Sequence, residues 1–237
     1  MKTSILKRPG SALRLVAVLG GVIGLLLRLW LESSAIDDRG LLISGHPAHI
    51  ALWVLGLTMV TLMALWVIRY QPTAKKAPTP KKSIPAGLGC IPTLLLLVWF
   101  LIQADNLPII LLTALLLAVF VTVALCHFLG KKPPLLTYGI ICGWMVVLLL
   151  QMYRDWSFDP QLHDYCFQLL AYVALMVTAY QHTAMGEGIG HYRKLWFWSM
   201  TAVFLCIMSA NMGLQYVPLA IWVITDLPEP KVKKATR

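Results

Sequence analysis

The sequence predicts an all-α fold, a polytopic transmembrane helical bundle of about eight spans forming one integral membrane domain over residues 1–237. Two observations carry that class. Of the 237 residues, 59% are hydrophobic and only 13% are charged, with a mean hydropathy of +0.74, against about 25% charged in a soluble domain. The apolar residues also gather in blocks near the ~20 residues that cross a hydrocarbon core. A third observation sets the orientation. Threading the chain with both termini cytoplasmic leaves only Arg28, Arg39 and Arg154, of 20 Lys and Arg, on the outer side, and basic residues near span ends are retained inside.

The first block, 12–31, is followed by no Ala-x-Ala-like cleavage site and reads as a retained span. The second, 48–68, leads into "QPTAKKAPTPKKSIP", residues 71–85, a Pro- and Lys-rich extended cytoplasmic loop. Blocks 86–103 and 107–128 turn tightly at "QADNLP", where Pro108 suits the first turn of a helix. Pro92 and Pro218 fall inside blocks and predict kinks. Blocks 135–153, 161–184 and 194–210 follow. The last, "GLQYVPLAIWVITD" at 213–226, is short. It crosses if the bilayer thins locally, which the basic cytoplasmic tail at 227–237 favours; seven spans plus a re-entrant segment is the alternative. "LLLRLWLE" (25–32) matches "LLLQMYRD" (148–155), and "LIQADNLP" matches "IMSANMGL", a pattern that fits a 4+4 parallel repeat.

The polar residues concentrate at one face. "RLWLESSAIDDRGLLISGHPAH", residues 28–49, is the first outer loop with its two helix ends. Glu32, Asp37, Asp38, Asp105, Asp155, Asp159 and Asp164 share the outer side with Arg28, Arg154, His46, His49 and His163. A solvated loop accounts for them better than a metal site, because Pro47 separates the two histidines and no HExxH glutamate is present. In the sixth block Asp164, Tyr165, Gln168 and Tyr172 fall along one helical stripe. Lipid cannot satisfy such groups, so they face the protein interior or a water-filled cavity. They are the candidate pocket lining, with interhelical hydrogen bonding as the alternative. Arg28, Glu32, Arg154, Asp155 and His163 are the candidate outer rim. Arg28 and Glu32 stand four residues apart and are expected to pair, with a further partner among Arg154, Asp155 and Asp164.

His49 and His163 fall near outer span ends, and His127 and His182 near inner ones. Two bis-histidine haems would need such pairs, but histidines at membrane interfaces are the ordinary case, so no cofactor is expected. The five cysteines lie in apolar blocks without CxxC spacing and read as small buried hydrophobes. Several of the nine tryptophans read as belt anchors. No nucleophile elbow, Walker loop or dinucleotide fingerprint appears. The basic stretches carry no aromatic interleaving, which excludes nucleic acid as a partner; the lipid bilayer is the expected one, with anionic headgroups attracted to the inner loops.

"DDRGLL…GHP" in the first outer loop, the "QADNLP" turn and the final short hairpin resemble uncharacterised multi-spanning membrane proteins of anaerobic Gram-positive bacteria. That resemblance implies a bacterial plasma-membrane location and a helical fold, and no activity. Among functions, the sequence best fits a small-molecule carrier or permease with an outward-facing polar pocket. The alternative is a non-catalytic accessory subunit that docks a protein partner through its Lys-rich inner loops; a membrane enzyme ranks third.

Overall fold

A computed structural model describes residues 9–34, 46–70, 83–104, 107–156 and 162–228. They are 89% helical with no strand among them. The helices are α1 (Pro9–Ser34), α2 (Pro47–Tyr70), α3 (Ile84–Gly89), α4 (Ile91–Gln103), α5 (Leu107–Leu129), α6 (Leu135–Trp156), α7 (Leu162–Gly186), α8 (Tyr192–Met208) and α9 (Tyr216–Asp226). Each apolar block of the sequence is helical, the third as two pieces. The tail beyond Pro228, most of the 71–85 loop, and the side chains of Asp155, His163 and Asp164 lie outside the described residues.

Five helical stretches are long and apolar enough to cross a membrane: Gly10–Ser34, Pro47–Tyr70, Ile84–Gln103, Leu107–Leu129 and Leu135–Arg154. Their outward faces carry Leu15, Leu26, Leu57, Leu95, Leu111 and Leu150, all exposed. Apolar surface on this scale marks an interaction site or lipid contact. Helix α8 is the reverse case. Twelve of its 17 residues are buried, because α1, α2, α7 and α9 all pack against it.

Close packing of α1 on α8 depends on glycine. A Cβ on Gly21 would sit 2.7 Å from Ile207 Cβ, and one on Gly24 2.7 Å from Met208 Cγ; Gly20 makes the same room for Met59 of α2. Small residues four apart let two backbones approach where lipid provides no hydrophobic drive between helices.

Pro92 acts as more than a kink. The third block breaks at Cys90, and Pro92 lies in the first turn of the restarted helix α4. Pro218 produces no kink, since α9 begins only at Tyr216 and a first-turn proline gives up no intrahelical hydrogen bond. Its carbonyl also accepts the Thr93 hydroxyl at 3.2 Å. Trp196 and Trp222 are fully buried, so they are core residues rather than belt anchors; Trp30, Trp53 and Trp99 are exposed as anchors should be.

Cross-helix contacts fix the direction of each element. At one end His127 near the close of α5 meets Asp226 at the close of α9, and Tyr138 from the start of α6 meets the same carboxylate. There too Tyr192, the first residue of α8, donates to Pro228 O at 2.7 Å. At the other end Glu32 of α1 meets Asn211 beyond α8. Successive long helices therefore run up and down. Helix α7 packs along α8, while α2 packs on α1 and α8 and not closely on α4.

Candidate functional site

At the Glu32 end, Arg28 is buried, 3% exposed, and its Nε lies 3.9 Å from Glu32 Oε1. Arg154 is exposed at the end of α6, and Glu32 reaches a partner outside α1. That partner is Asn211, whose side-chain amide donates to Oε1. The reason is packing, since α1 lies against α8 and its following turn rather than against α6. We expect a double-mutant cycle of Glu32→Ala and Asn211→Ala, read by unfolding of the purified protein, to give a coupling of about 0.5–1.5 kcal/mol. Additive losses would remove this contact from the account.

The α7 stripe turns inward as its spacing requires. Gln168 and Tyr172 are buried and Tyr165 is half-buried. Their cover is the first turn of α9. Tyr216, fully buried, donates its hydroxyl to Gln168 Oε1 at 3.4 Å, and its ring lies 5.3 Å from that of Tyr172. The first turn of α9 closes over these polar side chains. His46 and His49 are occupied locally. His46 Nδ1 accepts from the Ala48 backbone N–H at the start of α2, and His49 Nε2 accepts from the Trp53 indole.

The most concentrated set of ionisable groups lies at the opposite end. Asp226 is the last residue of α9, with its side chain only 2% exposed. An acid there opposes the negative end of the helix dipole, so it needs partners. Tyr138 donates its hydroxyl to Oδ2 at 2.8 Å. His127 Nε2 lies 2.8 Å from Oδ1, an ion-pair contact off the linear hydrogen-bond direction. His182 Nε2 is 3.8 Å from Oδ2, and its ring stacks on Tyr138 with centroids 4.8 Å apart. Cys90, fully buried at the α3–α4 break, is close enough to interact electrostatically with the carboxylate. Arg14, stacked over Trp196, donates to the Leu227 carbonyl and so supplies the positive charge that a helix C-terminus favours.

Both imidazoles thus turn Nε2 toward one carboxylate, and no metal-holding group of three or more His, Cys, Asp or Glu occurs among the described residues. The sequence places His127 and His182 at the same membrane face but gives no sign that Asp226 and Tyr138 join them. An acid in the final turn of an apolar helix was the available signal.

Helices α7 and α9 are not a closely packed pair. Long side chains bridge them at two stations, Gln168 and Tyr172 with Tyr216, and His182 with Asp226. The stations are ten residues apart on α9, about 15 Å, and buried Leu175, Leu219, Ala220 and Val223 lie between them along the two helices. No protein family, curated protein or solved structure matches this chain.

Proposed function

We propose that this chain is a multi-pass integral membrane carrier for a small molecule, with eight crossings and both termini cytoplasmic, in a bacterial plasma membrane. The observation that carries the reading is the α7–α9 seam, with a polar station toward each end and an apolar section between. A solute path needs polar groups reachable from either side and a dry barrier separating them. Polar side chains inside a membrane bundle are costly and are functional candidates by default. In this reading Gln168, Tyr172 and Tyr216 form the closed outer end of the path, with Arg28 near enough to Tyr216 to act on it electrostatically. Glu32 belongs to the outer rim.

Eight crossings are supported by where α9 ends. Its last residue reaches the closing turn of α5, and Pro228 reaches the first residue of α8, so the chain returns to the level from which α8 departs. Cysteines introduced into 71–82 are expected to react with an impermeant thiol reagent only after cells are permeabilised. Labelling of intact cells would invert the orientation. For transport, the purified chain in proteoliposomes should take up at least one member of a panel of radiolabelled amino acids, sugars and organic ions faster than empty vesicles. Gln168→Leu should reduce that uptake at least tenfold. Uptake no faster than in empty vesicles across the panel, with a stoichiometric protein partner recovered from the native membrane, would replace the carrier with the accessory subunit.

A further inference from the structure

A neutral amide at position 226 could also accept from Tyr138. What the carboxylate adds is the capacity to take a proton. Among the described residues, the side chains that contact it are themselves proton carriers: His127 from α5, His182 from α7 and Tyr138 from α6, while the nearby Cys90 thiol donates to the Ala86 carbonyl. Arg14 from α1 and Tyr192 from α8 hold the two carbonyls that follow it, at Leu227 and Pro228.

The exposures are graded. The His127 and His182 side chains are 16% and 11% exposed, while that of Asp226 is 2% exposed. The imidazoles therefore stand between solvent and the carboxylate. The two contacts also differ in kind, one close at 2.8 Å and one loose at 3.8 Å. Above the carboxylate, toward Tyr216, the buried apolar residues of α9 offer no continuing relay.

From this geometry we infer that Asp226, His127, His182 and Tyr138 form a proton-binding site at the inner end of the bundle, filled from the cytoplasmic side through the two imidazoles. On filling, the carboxylate becomes a carboxylic acid, the charge of the cluster rises by one, and the ion pair with His127 is lost; no other bond changes. The site rests on the carrier reading only for its purpose, as the coupling ion, and proton binding is measured without any transported solute.

The test uses the full chain in lipid nanodiscs of phosphatidylcholine and phosphatidylglycerol, followed by infrared difference spectroscopy between alkaline and acid pH. The expected result is a carboxylic-acid C=O band that grows on acidification, moves in deuterium oxide and vanishes in Asp226→Asn. His127→Gln and Tyr138→Phe should keep the band and shift its midpoint by about one pH unit, tenfold in proton affinity. A band that persists in a folded Asp226→Asn protein, or one that is absent from the wild type, overturns the site. If Asp226→Asn does not fold, the midpoints decide: His127→Gln and Tyr138→Phe titrating with the wild type also overturn it. An Asp226-dependent band in a protein that moves no solute removes the carrier and leaves the proton site. Uptake without the band does the opposite.

Discussion

Replacing Asp226 with alanine is expected to lower the unfolding free energy by about 3–5 kcal/mol, the cost of removing one partner from a buried charge pair. The substitution strips the acceptor from the Tyr138 hydroxyl and the counter-charge from His127 and His182 together. Tyr138, which is buried, then sits in an interior that offers it no replacement. Asp226→Asn should cost less, about 1–2 kcal/mol, because an amide oxygen still accepts from Tyr138. Denaturant unfolding in a mild detergent measures both. An alanine variant within about 1 kcal/mol of wild type would mean that the cluster is open to water.

The second large effect is steric and lies one residue away, at Thr225. A Cβ on Gly89 would land on Thr225 Oγ1 and close to Thr225 Cβ and Cγ2. These atoms belong to the face where the α3–α4 break receives α9. Gly89→Ala should therefore push α9 off its seat and cost about 1–3 kcal/mol, the usual range for overpacking. Thr225→Gly in the same chain should recover part of that loss by vacating the space. Gly143 of α6 is the control, with nothing within 4 Å of its added Cβ. Gly143→Ala should be neutral or stabilise by about 0.4–1 kcal/mol. Equal losses at positions 89 and 143 would point to helix backbone effects and away from the α9 contact.

The helices were legible in the sequence because a bilayer imposes their length and composition. Block 48–68 and helix Pro47–Tyr70 differ only by a residue or two at each end, as do 107–128 and Leu107–Leu129. Pairing within one helix was legible too, as Arg28 and Glu32 show. Contacts between helices were not. Asn211 stands 179 residues from Glu32, and Tyr138 stands 88 from Asp226, and no spacing rule connects such pairs. The α7 stripe could be read as facing inward, but its cover by Tyr216 could not, because α9 is too short and continuously apolar to reveal which face it buries. Pro218 misled for a related reason. Its meaning depends on where α9 starts, and helix ends are the least certain feature of any sequence pattern.

The contact between Arg14 and the Leu227 carbonyl joins residues 213 apart, and that separation has a consequence for how the protein is made. At roughly 5–20 residues per second, a ribosome takes roughly 10–40 s to travel from one to the other. Through that interval the first helix is already synthesised while its glycine face still lacks α8, and Arg14 lacks its acceptor. The newborn chain thus carries an unfilled groove through most of translation. Another α1, or an assembly factor, has that long to occupy it before the chain's own last hairpin arrives.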